Sequence, residues 1–255
     1  MAASDSTARS ATTLMMRLAG AVDREEQAFK RLAIAAGKYW VTKRGPVFAG
    51  EALECLGGNG YVEDSGLPLR YREAPLNSVW EGSGNVNALD VLRALSREPE
   101  ALDAWLIEVG RARGEDRRLD RAIEDVLEML ADTTTLEVSA RLLAGRMAAC
   151  LQGSLLVRFA PSAVADAFCA TRLGTDYGGT LGTLPAGTDL GAIVERATPG
   201  VSGSEATSEM CEELLDTLGI PPRLTFGPQP RAADTTSRAS SWTCCRWSPP
   251  RNDSA

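Results

Sequence analysis

The sequence predicts an all-α fold, and three observations predict it. Apolar residues return at three- and four-residue intervals through most of the chain up to Leu173, the spacing of one buried helical face. No segment alternates apolar and polar residues with period two, so no sheet is expected. Glycine and proline fall mostly between the periodic stretches, where they end helices.

In chain order, residues 1–7 are Ser/Thr-rich and expected to be disordered. Leu14, Met15, Leu18 and Val22 make one face of a helix over 8–22, closed by the charged turn Asp23–Glu26. A long helix over 25–56 follows, its face carried by Phe29, Leu32, Ala36, Tyr39, Trp40, Lys43, Val47 and Phe48. Pro46 should kink or locally break it. Gly57 is placed to close that helix in the left-handed C′ position. Residues 61–80 read as irregular because Pro68 and Pro75 forbid a long helix, with room for one turn over Leu69–Ala74. Ser83 or Asn85 then caps a helix with a core face of Leu89, Leu92 and Leu95. Pro99 opens another helix that runs to Arg113, and Gly114–Asp116 is a break. Leu119–Leu130, with Ile123, Val126, Leu127 and Leu130 buried, Leu136–Leu156 and Ala163–Leu173 complete the helical part. Beyond Gly200 the composition shifts to Gly, Pro, Ser and Thr. Met210–Leu218 is the one stretch there that reads as a short helix, and the sequence from Pro221 on reads as non-native or out of frame.

Composition excludes several kinds of chemistry. The 255 residues carry 27 basic and 34 acidic side chains, a formal charge of -7, so no bulk attraction to nucleic acid or anionic membrane exists. There is no histidine, which removes Ser-His-Asp and Cys-His catalysis and histidine-ligated zinc or haem. No metal site is expected. The six cysteines (Cys55, Cys150, Cys169, Cys211, Cys244 and Cys245) form no CxxC pair and read as reduced thiols of a cytoplasmic protein. Leu14–Ala21 is short and interrupted by Arg17, so neither a signal peptide nor a membrane span is expected.

Two glycine clusters stand apart from this background. Gly57, Gly58, Asn59 and Gly60 at a helix exit let backbone approach another group and aim N–H donors at an anion. Position 63 is Glu63, so they make no dinucleotide fingerprint, and no Gly-Lys-Ser/Thr follows to make a P-loop. By themselves they read as a plain helix cap and tight turn. The second cluster, Val79, Trp80, Glu81, Gly82, Ser83, Gly84 and Asn85, stands just before a helix start, where amides favour anions or carbonyl oxygens. Glu81 beside an indole suits a general base; it equally suits a side chain that complements the positive helix end.

Taken together, Glu51 to Tyr61, Leu69 to Glu73 and Val79 to Asn85 resemble the acyl-CoA dehydrogenase family. The resemblance is greatest to its DNA-alkylation-response (AidB-like) branch, which has this Trp-Glu-Gly-Ser-Gly-Asn where Tyr-Glu-Gly-Thr is commoner. It covers residues 8–199. It implies a carboxyl-terminal helical bundle over 8–97, a helical extension over 98–199 and a disordered or non-native tail over 200–255. The family's amino-terminal helical domain and central β domain are then absent, and the chain is a carboxyl-terminal fragment. The implied cofactor is FAD, with Gly57, Gly58, Asn59 and Gly60 near its diphosphate across a subunit interface. Val79, Trp80, Gly82, Ser83, Gly84 and Asn85 line the flavin. Glu81 matches the glutamate that removes the α-proton of an acyl-CoA while the flavin accepts a β-hydride. A homo-oligomer, a tetramer in the family, is implied as well, and Tyr71, Arg72 and Glu73 are expected to fix the intervening loop.

Arg93 lies beside the Leu89–Leu92–Leu95 stripe, and the resemblance implies that it approaches a double-stranded DNA phosphate or a substrate. The alternative is an arginine whose stem covers the bundle surface. Arg111, Arg113, Arg117, Arg118 and Arg121 make a basic run, but Glu115, Asp116 and Asp120 interleave with it, as on a solvated face. The leading expectation is therefore part of an FAD-dependent acyl-CoA dehydrogenase. A DNA-associated protein of the alkylation response and an inactive truncated product are the alternatives.

Overall fold

A computed structural model describes residues 2–174 and 181–198, and among them there is no strand. The expected Met210–Leu218 helix and the tail lie outside the described residues. The helices are α1 (Ala2–Asp23), α2 (Gln27–Glu54), α3 (Gly58–Tyr61), α4 (Leu67–Glu73) and α5 (Gly84–Arg97). They continue with α6 (Pro99–Gly110), α7 (Arg117–Ala131), α8 (Leu136–Phe159), α9 (Ser162–Phe168) and α10 (Leu190–Ala197). Short 3-10 turns at Glu63–Ser65 and Ala74–Ser78, and a π turn at Cys169–Leu173, join them.

The chain up to Pro199 is one compact unit with one core, reaching from Leu14 to Ile193 and so spanning both the 8–97 and 98–199 segments. The centre of that core is α8. Its residues from Leu143 to Leu156 are buried except half-covered Arg146, and a helix apolar all round is one surrounded by others. It packs on α1, α2, α5, α6, α7 and α9. By length and composition α8 could cross a bilayer, but 72% of its most apolar window is buried in protein, as in a core helix. Small residues bring α2 close to it: the ring of Trp40 fills the space a side chain on Gly145 would need, 3.2 Å from that position. Trp40 Nε1 donates to Gln152 Oε1 (2.8 Å), and Gln152 Nε2 donates to Ser10 Oγ (3.3 Å), a polar bridge across α2, α8 and α1. Burial pushes the Cys150 and Cys169 thiols up to about 12, so both act as small apolar groups.

Several boundaries differ from expectation, each for a physical reason. Residues 1–7 were expected to be disordered, yet α1 begins at Ala2. Thr7 Oγ1 accepts a bond from Arg172 Nη2 (3.2 Å) and Ser10 Oγ donates to Thr7 O (2.9 Å), tertiary contact that composition does not reveal. Pro46 neither breaks nor divides α2, which is continuous from Gln27 to Glu54. Gly45 precedes it, and without a Cβ it escapes much of the clash that proline imposes on the residue before it. α4 and the Ala74–Ser78 turn also pack along α2. The buried face of α5 is Ala88, Val91 and Ala94; Leu92 and Leu95 flank it, and Leu89 is 42% exposed. Alanines let α5 sit close on α2 and α8, and the larger leucines then fall at the margin. In α7, likewise, Leu119, Ala122 and Val126 are buried and Leu127 is exposed.

A buried carboxylate ties four helices together. Glu108 on α6 is 2% exposed and accepts from Arg17 Nη2 of α1 (2.9 Å) and Arg158 Nη1 of α8 (2.9 Å). Arg17 also pairs with Glu26, the residue before α2 (2.6 Å), and its guanidinium lies 4.1 Å from the centre of the Phe29 ring. Burial alone would raise the Glu108 pKa, but the hydrogen bonds from Arg17 and Arg158 outweigh it and lower it to about 2.

A carboxylate whose folded pKa is depressed stabilises fully above its ordinary pKa of 4.5, and loses that contribution as pH falls toward about 2. Urea titrations should therefore show wild type losing stability between those values relative to Glu108→Gln. At pH 7, Glu108→Ala should cost about 3 kcal/mol, because the half-buried Arg158 loses its carboxylate and Arg17 keeps only Glu26. An unchanged urea midpoint would show that the cluster is not stabilising.

Candidate functional site

The Val79–Asn85 segment folds as it does because α5 needs a start and α2 offers donors. Ser83 takes the N-cap position with extended backbone (φ -65°, ψ 170°), but its side chain makes no capping bond. The first bond into α5 runs from the Asn87 N–H to Ser83 O (3.0 Å). The amides of Gly84, Asn85 and Val86 thus stand ahead of the helix hydrogen-bond ladder at its positive end. A Cβ on Gly84 would displace the end of the Lys43 side chain, while the Tyr39 ring lies at ordinary contact distance (3.5 Å). Gly82 has φ 106°, a value that L side chains rarely adopt.

Glu81 itself has φ 55°, rare for a residue with a side chain. The carbonyls on either side of it are held from outside the loop. Lys38 Nζ on α2 donates to Trp80 O and to Gly82 O (2.7 Å to the latter), and Asn87 Nδ2 donates to Gly82 O (2.7 Å) and Ser83 O (3.0 Å). The Glu81 side chain is exposed and takes no hydrogen bond or ion pair among the described residues. Trp80 is 65% exposed and Val79 and Val86 lie open as well, so the segment forms an apolar, unpaired face around one carboxylate.

The other glycine cluster is built differently. Gly57 has φ 56° but ψ -139°, not the left-handed helical pair expected of a C′ residue, and α2 has ended at Glu54. Gly58–Tyr61 then makes one helical turn. A methyl group placed on Gly57 or Gly58 would meet nothing within 4 Å, so their backbone lies bare to an approaching group. Gly60 is buried, and a Cβ there would strike the Leu53 carbonyl. Asn59 is exposed. Arg72 grips Glu63 through two bonds (2.8 and 3.1 Å) and ties α4 to the turn.

The two clusters do not meet. Lys43 reaches Gly84 whereas the glycine turn lies beyond Glu54, and those positions are roughly 16 Å apart along α2 at 1.5 Å per residue. Arg93 lies on α5 apart from Glu81; it pairs with Asp90 (2.7 Å) and remains 50% exposed. In the basic run, Arg118 bridges Asp116 and Asp166, Arg121 faces Glu124, Asp125 and Glu128, and Arg111 pairs with Glu108. Sequence reasoning missed Lys38 and Asn87. The one available signal was a lysine directly after the buried run Ala35–Gly37, on a helix whose face was otherwise explained.

The open glycine backbone at Gly57 and Gly58 and the uncapped amides of α5 both offer N–H donors that suit an anion.

Residues 1–96 match the family model described as acyl-CoA dehydrogenase, C-terminal domain. AidB of Escherichia coli (strain K12), which bears acyl-CoA dehydrogenase as a provisional name, is 38% identical over 174 residues, 66% of this chain and 31% of that protein. Acyl-CoA dehydrogenase family member 11 of Caenorhabditis elegans is 37% identical over 114 residues, 43% of this chain and 18% of that protein. Among solved structures, Caenorhabditis elegans ACDH-11 in complex with C11-CoA aligns with TM-score 0.55 and 27% identity, over 65% of this chain and 34% of that one. The chain spans under a third of the length of the curated relatives it matches.

The glycines separate fold from site. Gly60→Ala should lower the melting temperature by several degrees through displacement of the Leu53 carbonyl, whereas Gly58→Ala should leave it within about a degree. Equal melting shifts in calorimetry would contradict the open placement of Gly58.

Proposed function

We propose, on the match of residues 1–96 to the acyl-CoA dehydrogenase C-terminal domain, that the chain supplies the base-bearing wall of an FAD-dependent dehydrogenase that forms an α,β double bond in acyl-CoA thioesters. The observation that carries the reading is the Glu81 loop: an unpaired carboxylate at positive φ, its flanking carbonyls held by Lys38 and Asn87, set at the open end of α5. Strained backbone held by its surroundings is a frequent property of working residues. The ACDH-11 structure contains an acyl-CoA, which supports the same substrate class here.

On this reading, bound flavin would supply the acceptor for the β-hydride. The work of the chain is to hold and move the proton. Glu81, the one carboxylate of the Val79–Asn85 loop, takes the α-proton. The amides of Gly84, Asn85 and Val86 offer donors and the positive end of α5 to an anionic oxygen or a carbonyl. Trp80 gives an apolar wall against which an acyl chain or a flat ring can lie. Gly57 and Gly58 offer bare backbone to a diphosphate, and their distance from Glu81 along α2 suits cofactor contacts divided between two copies of the chain. A DNA-associated role has less support, since Arg93 is bridged to Asp90 and three arginines of the basic run are paired with carboxylates.

In the FAD-loaded protein, Glu81→Gln should lower acyl-CoA oxidation by about 10²–10⁴-fold and leave flavin absorbance unchanged. Retained turnover would remove Glu81 as the base. Gly58→Val should weaken FAD binding by about tenfold in a fluorescence titration without loss of fold. Undiminished affinity would place the diphosphate elsewhere.

A further inference from the structure

We propose that Lys38 is the positioning residue of the candidate base: it clamps the two peptide carbonyls that flank Glu81 and so fixes the direction in which the carboxylate faces. The functional half of this proposal rests on the reading of Glu81 as the base; the clamp itself does not.

A lysine ammonium is a compact, strongly hydrated cation with three donors, and it normally stays in water or meets a carboxylate. Lys38 does neither. It leaves α2 directly after the buried Ala35, Ala36 and Gly37, is half-buried, and pairs with no carboxylate among the described residues. Two of its donors go instead to Trp80 O and Gly82 O, the carbonyls of the residues before and after Glu81. Two peptide oxygens turned toward one point repel each other unless a cation lies between them, and positive φ at both Glu81 (55°) and Gly82 (106°) is what turns them there. Asn87 closes the other side through Gly82 O and Ser83 O. The loop is thus tied to α2 and to the first turn of α5 while the Glu81 side chain stays outside the clamp, unpaired and exposed.

Positive φ alone does not mark a site here. Glu25 has the same φ of 55° in the turn between α1 and α2, and there backbone bonds such as Glu26 N–H to Ala21 O (2.9 Å) close the turn. What distinguishes Glu81 is a charged side chain from 43 positions away, assigned to its two neighbouring carbonyls.

The test begins with the whole chain and no activity. It contains three lysines, Lys30, Lys38 and Lys43, so their ammonium groups can be followed one by one by NMR of protein labelled with ¹⁵N-lysine. One slowly exchanging ammonium signal is expected, absent from Lys38→Arg; three signals exchanging at the solvent rate would overturn the clamp without any substitution. Hydrogen exchange followed by NMR should show the two bonded amides of the loop, Trp80 N–H to Leu76 O (3.2 Å) and Asn87 N–H to Ser83 O (3.0 Å), opening about tenfold faster in Lys38→Met, with α6 unchanged and Lys38→Arg near wild type. Identical exchange in Lys38→Met would overturn it as well. In the FAD-loaded protein, Lys38→Met should lower kcat about tenfold or more with KM within about twofold, and Lys38→Arg should restore much of it. Glu81→Gln run in parallel separates the two ideas. If that variant is inactive while Lys38→Met keeps full kcat, the positioning role is wrong and the base stands. If Glu81→Gln is active, the base is wrong and the exchange data alone decide the clamp.

Discussion

The unbroken course of α2 through Pro46 is the constraint on which the other parts depend. Along its 28 residues the helix changes task. From Phe29 to Gly37 it is core, packed on α1, α6 and α8. From Lys38 to Lys43 it meets the Glu81 loop, with Lys38 bonded to carbonyls, Tyr39 and Lys43 filling the space around Gly84, and the Trp40 ring lodged against Gly145. Beyond Pro46 it carries the glycine turn outward. A break at Pro46 would free that turn from α5, and the spacing between the two glycine bends would no longer be fixed. Gly45 removes much of the steric reason for such a break.

The ion cluster around Glu108 fixes where α2 starts. Arg17 joins α1 to the Glu26 turn and to α6, and Arg158 brings in α8. Arg31 then ties the first third of α2 to α5 through Asp90 and Glu98 (both 2.8 Å). Position and direction of α2 are therefore set by charge at one end and by small-residue packing in the middle. The loop held by Lys38 inherits both.

Much of this was legible in the sequence. Three- and four-residue spacing located every long helix from α1 to α8, because burial of one face is a local property of the pattern. Gly57, Pro99 and Gly114 fell at breaks, where their backbone limits act, while Pro46 did not interrupt α2. What escaped depends on contacts distant in sequence. Leu89 looked like core and Ala88 did not, since only close approach of α2 and α8 shows that an alanine belongs there. Arg172 reaches Thr7 near the start of α1, and Lys38 reaches past forty residues to two carbonyls of the Glu81 loop. No local pattern encodes a side chain that bonds to distant backbone. Glu81 was visible through its neighbours' identities; the reason it can be held in place was not.

The central claim is that this loop presents a fixed carboxylate to the α-carbon of a thioester. A crystal structure of the protein with FAD and a non-oxidisable acyl-CoA bound tests it most directly. The account expects the Glu81 carboxylate about 3–3.5 Å from the α-carbon, with Lys38 still bonded to the carbonyls of Trp80 and Gly82. An acyl-CoA bound with its α-carbon far from Glu81, or Lys38 turned away from both carbonyls, would contradict it.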